Sequence, residues 1–582
     1  MNKSAILHIP MSQYAFAQEE NVFTIRLRAA KGDLSSCVLY YGDRACMQSP
    51  VAFQSIEMER RWQDTRFDYF EGIVTNSPTR LCYYFKLCKG EEWVYYYADL
   101  FCKELPDMIM EDGFVIEGRS EYYQYPYAMR KEILRQPEWF LNAVVYNIFP
   151  DSFASDERYL IKQGKELKNK DGQDCRLKLG GTIAGIRKNL DYVQEMGFDC
   201  IYLNPIFMAG EYHKYDILDY YEIDPCMGNK EEFRDLVEEI HSRGMHIIID
   251  GVFNHCSWYF PFFEDVVQKG EKSEYADWFY DLVFPVKRPL HGELPEYACF
   301  AYEPKMPKLD TSNPKVQEYF AKVGSYWIEQ FHVDGWRLDV ANEIDRNFWR
   351  KFRESVKSAN PEAVLIGEVW ENSESWLKGD AFDSTMNYDF RKHCRDYFAL
   401  EKGTASEFAG AMTDMFLRYP TQIALGQLNL LDSHDVARFL SLCGSNREKW
   451  MVAFAYLCMA PGVPSVFYGD EQGIEGIRED EYRSPMPWEN RDTELENFVK
   501  KCIQIRKDWI KPQDDWKVVH IDDDKNFLVF ERCGNHTVRL LIHMGEGYVN
   551  TQTYCREGNV LLTTQTIGEQ FGRYGIQIVL VN

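Results

Sequence analysis

"GWRLDVANE", residues 335–343, sets Arg337 and Asp339 two apart in a run that is otherwise largely apolar. Side chains alternate along a strand, so the two share a face. A guanidinium beside a carboxylate on a buried face holds it in one orientation and favours its ionised form. The strand carrying them, "VDGWRLD" (333–339), belongs to a series of short apolar runs: "AVVYNIF" (143–149), "CIYLNP" (200–205), "HIIIDGV" (246–252), "VLIGEV" (364–369), "DSTMNY" (383–388), "QLNLLDS" (427–433) and "SVFYGDE" (465–471). Helical patterns lie between them. "NKEEFRDLVEEIHSRG" (229–244) has a polar start, apolar Phe233, Leu236, Val237 and Ile240 at i/i+3/i+4 spacing, and a closing glycine. Eight strand-then-helix units predict an α/β fold, a (β/α)8 TIM barrel. An open doubly wound sheet is the alternative, but it wants a Gly-rich phosphate turn after an early strand, and none is evident.

Outside this core the rhythm changes. Residues 1–125 alternate in short runs such as "VFTIRLRAA", "LCYYFKLC" and "EWVYYYAD", which predicts an N-terminal β-sandwich. A linker follows near "EGRSEYYQYP" (117–126). The barrel is assigned to 126–512. The long excursion between its third and fourth strands, about 256–312, reads as an inserted lobe rather than a loose loop. Residues 513–582 return to alternation ("WKVVHI", "TVRLLIHM", "IQIVLVN") and read as a C-terminal β-domain.

The 91 acidic residues against 66 basic give a net charge of −25, which argues against nucleic acid as the partner. The 15% aromatic share fits sugar stacking as well as ordinary core. Sixteen cysteines form no C-x-x-C pair, and the first residues lack the apolar core of a secretory signal; together these predict a reducing cytoplasm. Met451–Tyr468 carries no charge, but "PGVP" (461–464) would break a spanning helix, so it reads as a buried helix then a buried strand, with no membrane partner.

A barrel places its site at the C-terminal strand ends. Strand three ends in Asp250, Asn254 and His255, strand four in Arg337 and Asp339, and strand five in Glu368 with Trp370 beyond. His434 and Asp435 follow strand seven. Singly, each has a plainer reading as a cap, a core residue or a bracing ion pair; their convergence on one mouth points to chemistry. Asp339, oriented by Arg337, suits a nucleophile. Glu368, at the end of an apolar strand, suits a general acid whose pKa burial would raise. Two such carboxyls are the apparatus of glycoside hydrolysis, with Asp435 as a third charge for the oxocarbenium-like transition state.

"DGVFNH", "GWRLDVANE", "GEVW" and "LLDSHD", in this order, resemble the α-amylase clan, closest to its cyclomaltodextrinase, neopullulanase and maltogenic amylase group. "YNIFPDSFAS", "NPIF…HKYD", "MPKLD" and "FYGDE" extend the likeness. The resemblance implies Asp339 as nucleophile, Glu368 as acid/base and Asp435 as transition-state stabiliser. It implies His255, Arg337 and His434 as sugar-binding residues at the cleavage subsite and Tyr215 as an aromatic platform there. Asp216, Asp250 and Asn254 are structural or orienting. Glu343 matches a position lining the acceptor side, although a carboxylate in a first helical turn is also simply a favourable helix start. Trp370 is a candidate acceptor-side stacking residue, with rim packing as its other reading.

The implied activity is retaining hydrolysis of cyclodextrins, maltooligosaccharides and pullulan by a homodimer. The same intermediate would equally serve a glucan transferase or a glucosyl isomerase. A non-enzymatic carbohydrate-binding subunit would be expected to have lost one of the three acids. The expected carboxyl separation is about 5–5.5 Å for retention. Two departures stand out: Asp310 replaces the asparagine usual in "MPKLN", and Gly180-Gly181-Thr182 replaces a Gly-Gly-Asp that helps hold calcium in relatives. No cofactor is required; Asp151, Ser155, Asp156 and Asp174 are the oxygen donors that remain for calcium.

Overall fold

The computed structural model describes every residue except 45–51, 79, 106–109, 112–113, 116–120, 157–166, 169–173, 176–177, 290–292, 557, 568–569 and 582. The start of the expected linker, 117–120, therefore lies outside the described residues.

The eight apolar runs form a closed parallel barrel: Val145–Ile148, Cys200–Leu203, His246–Gly251, Gly335–Leu338, Val364–Gly367, Ser384–Asn387, Leu428–Leu430 and Val463–Phe467, the last pairing with the first. The open-sheet alternative is thereby excluded. The lumen is a packed core that includes Val145, Tyr202, Ile248, Val364, Ile366, Met386 and Leu428. Close strand contact explains the glycine that opens "GWRLD": a Cβ at Gly335 would lie 2.3 Å from the carbonyl oxygen of Val364.

The helices follow the predicted pattern. Lys230–Ser242 starts where the Asn229 side chain accepts the N–H groups of Glu231 and Glu232, and it buries all four predicted apolar residues. Each buried side chain contributes roughly 1.5–3 kcal/mol. The chain leaves this helix through Gly244, whose φ of +71° suits a residue without a Cβ. The uncharged stretch is the second part of helix Arg447–Met459 followed by the buried eighth strand. No helix among the described residues is long and apolar enough to cross a membrane.

Between strands three and four the chain makes its excursion through helix Pro261–Lys269 and short 3-10 turns. It is pinned back to the barrel mouth: Cys256 N–H donates to Pro307 O at 3.1 Å and Leu309 N–H to Asn254 O at 3.1 Å. This docks "MPKLD" beside the end of strand three. Asp310, the departure from the family pattern, closes a turn in which its Oδ1 accepts from Ser312 N–H and Oγ–H.

In a separate compact unit, comprising Met1–Arg135, Gly403–Ala424 and Lys517–Leu528, two antiparallel sheets face one another. Their shared core includes Phe23, Ile25, Leu27, Leu39, Phe70, Tyr83 and Phe85. Toward the C-terminus, Thr537–His543 and Gly558–Thr563 flank Gly575–Val581 in an antiparallel sheet. Thirteen cysteines, among them Cys37, Cys200 and Cys502, are free thiols, whereas Cys226 is disulfide-bonded, a departure from the all-thiol pattern expected.

Candidate active site

Strand register assembles the site. Asp250 on strand three lies opposite Arg337 on strand four, and Leu338 lies opposite Gly367 on strand five. Asp339 and Glu368 therefore leave their strands at the same level. Arg337, fully buried, is the hub. Its Nη1 donates to Asp250 at 2.9 and 3.1 Å and to Asp339 Oδ1 at 2.7 Å. Its Nη2 lies 2.9 Å from Glu368 Oε2 and 3.8 Å from Asp435 Oδ2. One guanidinium thus gathers four carboxylates from three strands and one loop.

Glu368 is held by two further donors. Val340 N–H reaches Oε2 at 2.9 Å and the Trp370 indole N–H reaches Oε1 at 2.9 Å. Val340 achieves this with φ +45° and ψ +43°, a left-handed conformation that is strained for a β-branched residue. Trp370 is 47% exposed and stacks on Tyr388 with ring centroids 3.9 Å apart.

His434 donates through Nε2 to Asp435 at 2.9 Å and lies 2.5 Å from the Tyr215 hydroxyl. Its Nδ1 accepts from Asn204 Nδ2 at 2.9 Å, which leaves the ring proton on Nε2. Tyr215 in turn donates to Asp250 at 3.0 Å and lies parallel to the His434 ring. His255 stacks on Phe300 at 4.8 Å, and its Nε2 is buried without a hydrogen-bond partner among the described residues. Asn254 accepts the ammonium of Lys308, which also pairs with Glu343 Oε2 at 3.0 Å. Glu343 is half exposed and closes the 3-10 turn Ala341–Glu343. Asp216 stands apart from this network: it is buried and accepts from Glu211 N–H at 2.9 Å.

Burial sets the electrostatics, and the outcome departs from the simple pairing of Arg337 with Asp339. Burial pushes the Asp339 carboxyl well above its ordinary value; Arg337 opposes this, but Glu368, Asp250 and Asp435 add to it. A single arginine divided among four acids does not fully offset their burial, so the neutral form of Asp339 is favoured. Asp435 goes the other way. Burial opposes its ionisation, but His434, Arg337 and Arg483 together hold it well below the usual carboxylate range. Burial, reinforced by Lys308, lowers His255 to about 3, so it is neutral at any working pH.

Among the described residues the calcium candidates are not gathered into a metal site. Asp151 turns its carboxylate to the backbone N–H groups of Lys178, Leu179 and Gly180 at 2.8–3.3 Å, so its oxygens already face donors. Ser155 and Asp156 are both half-buried, and the Asp174 side chain lies outside the described residues. Among the described residues no group of three or more His, Cys, Asp or Glu is arranged to hold a metal ion.

Sequence reasoning passed over several partners. Asn204 and Tyr202 lie within "CIYLNP", where polar side chains at a strand end were a usable signal. Tyr202 donates to Asp250 at 2.8 Å. Arg483, 3.5 Å from Asp435, comes from a loop beyond strand eight that carries no pattern.

A parallel eight-stranded barrel whose mouth sets four acids around one arginine, Asp339 and Glu368 among them, has the parts of a glycoside hydrolase. The chain belongs to the α-amylase family and acts on α-glucans: residues 147–526 match the family described as alpha amylase, catalytic domain, and residues 1–117 its N-terminal ig-like domain. Neopullulanase 2 of Thermoactinomyces vulgaris is 40% identical over 507 residues, covering 86% of this chain and 84% of that protein. The intracellular maltogenic amylase of Bacillus subtilis (strain 168) is 33% identical over 573 residues, covering 96% and 94%. A solved cyclomaltodextrinase superposes with a TM-score of 0.86 at 31% identity, covering 100% of this chain and 98% of that one.

Proposed function

We propose that the protein is a retaining hydrolase of α-glucosidic bonds in cyclodextrins and maltooligosaccharides, with pullulan as a further substrate. Glu368 protonates the glycosidic oxygen while Asp339 attacks the anomeric carbon, giving a glucosyl-Asp339 ester. Glu368, now ionised, takes a proton from water, which opens the ester. Asp435 and Arg337 hold the sugar hydroxyls and balance the oxocarbenium-like charge, His255 and His434 bind the same ring, and Tyr215 lies beneath it. The observation that carries this reading is the shared guanidinium, which brings Asp339 and Glu368 onto the two terminal nitrogens of one side chain. The acid step needs the proton on Glu368, and Asp339, whose neutral form burial favours, must be ionised when it attacks.

The half-exposed Trp370 ring beside Glu368 favours a second outcome, in which an acceptor sugar stacks there and replaces water. Transglycosylation, with Glu343 on the acceptor side, then accompanies hydrolysis, and a glucan transferase or glucosyl isomerase is the limit in which it dominates. The 1–125 sandwich is proposed as a starch-binding-type module, the working form as a cytoplasmic homodimer; light scattering of the purified protein measures the latter.

The deciding experiment treats the enzyme with a fluorinated α-glucosyl fluoride and maps the label by mass spectrometry, alongside proton NMR of the first product from β-cyclodextrin. A label on Asp339 and an α-anomeric product are expected; an inverted product or a label elsewhere overturns the mechanism. Rates on β-cyclodextrin, pullulan and soluble starch, with and without added glucose, rank substrates and measure transfer.

A further inference from the structure

At the N-terminal end of the barrel, opposite the mouth, lies a cavity of about 330 Å³. Asn142 and Ala143 precede strand one, Asp199 precedes strand two, and His246 opens strand three. Arg506, Lys507 and Lys511 enter from the end of helix Thr493–Trp509 and the residues just after it. Its charged lining is thus three cations against one carboxylate, in a chain of net charge −25.

The carboxylate is already committed. Asp199 pairs with Lys507 at 2.5 Å and accepts Val144 N–H at 3.3 Å. Arg506 is not so matched. It gives three N–H bonds to the carbonyls of Cys458, Ala460 and Gly462, at the end of helix Arg447–Met459. A guanidinium has five N–H donors. Helix capping therefore explains three and leaves two, and no carboxylate among the described residues lies within ion-pair distance of it. Burial pushes its pKa down to about 10, which records a charge without a full partner. Lys511 is exposed and likewise makes no ion pair among the described residues. His246 faces Asp334 at 3.2 Å, and its ring stacks on Trp139 at 4.1 Å to close one wall.

We propose that this cavity binds a phosphate dianion, either free or as the phosphate of a sugar ester. The unbalanced charge, one guanidinium and one ammonium, matches two negative charges, and the volume suits a small ligand at the low end of known sites.

The test is calorimetric titration of the whole enzyme with inorganic phosphate at constant ionic strength, with chloride as the control and a glucose phosphate ester as a second titrant. Saturable phosphate binding is expected, with no equivalent for chloride. Lys511→Glu should weaken it by about tenfold or more while leaving β-cyclodextrin hydrolysis unchanged. Arg506→Lys should weaken it further; should that variant fail to fold, Lys511→Glu and Lys507→Glu carry the test. Tighter binding of the ester than of phosphate assigns the sugar a place against the Trp139 wall, and equal binding assigns the phosphate group alone. Absence of saturable binding by both, or unchanged affinity in both lysine variants, overturns the proposal.

Discussion

The two ends of the barrel treat buried charge in opposite ways. At the mouth, Asp250, Asp339, Glu368 and Asp435 share Arg337, so negative charge is in excess. At the other end, Arg506 meets only carbonyls. Nearby Arg532 likewise donates to the carbonyls of Met459, Lys511, Pro512 and Asp514, and burial lowers its pKa to about 9. Neither excess is best for stability, because an under-compensated buried charge costs several kcal/mol. At the mouth the excess has a use: a glycosyl cation developing between the acids meets a field already built for it. Stability given up at one place for reactivity there is a testable idea, and the far end is its internal control.

The largest expected effect is at the nucleophile. Asp339→Asn should lower turnover by about 10⁴-fold or more while raising Tm. The sign follows from the raised pKa. A carboxyl whose folded pKa exceeds its unfolded value, about 3.9, contributes stability in its neutral form. That contribution is complete below the unfolded pKa and is lost as pH rises through the folded one. The amide mimics the neutral form, so its advantage over the wild type should widen between pH 4 and 8 in thermal scans. A lower Tm at every pH would break the claim that the mouth is over-charged.

Replacing the hub gives the direct comparison. Arg337→Met should cost about 3–5 kcal/mol, because it strands buried carboxylates. The cost should grow with pH as those acids ionise. Arg506→Met at the far end leaves carbonyls, which do not titrate, so its cost should vary far less from pH 5 to 8 than that of Arg337→Met. Urea unfolding of both variants across that range separates the two cases; parallel pH profiles would erase the contrast.

Trp370→Phe sharpens the picture at one atom. The ring can still stack on Tyr388, but Glu368 Oε1 loses its N–H donor. A hydrogen bond to a charged group contributes about 1.5–3 kcal/mol, so kcat should fall by roughly 10- to 100-fold with KM little changed. A rise in KM alone would assign Trp370 to sugar stacking.

Much of this was legible in the chain. Eight apolar runs of strand length, separated by helical periodicity, define the barrel because parallel strands are buried on both faces and need apolar side chains throughout. Asp339, Glu368 and Asp435 were visible as polar residues ending such runs. What local pattern cannot carry is sharing. Arg337 reads as the partner of Asp339, two residues away, whereas register also brings it Asp250, and the adjoining strand Glu368. That partition changes the protonation expected of Asp339. Asp151 likewise reads as an oxygen donor, until the fold turns three N–H groups toward it. Arg483 has no sequence signal because only loop closure brings it to Asp435.

Val340 supplies the smallest test. Its left-handed backbone is the means by which the residue after Asp339 points its N–H at Glu368. For an L-residue with a Cβ, this conformation costs roughly 1–2 kcal/mol; glycine adopts it freely but loses about 0.4–1 kcal/mol through its more flexible unfolded chain. Val340→Gly should therefore be neutral to about 1.6 kcal/mol more stable in urea, and it keeps the N–H in place. Activity on β-cyclodextrin should stay within about threefold of wild type, a change of no more than about 0.65 kcal/mol in the barrier. A large loss of kcat would mean that the strained side chain, rather than the amide it positions, is what the mouth requires.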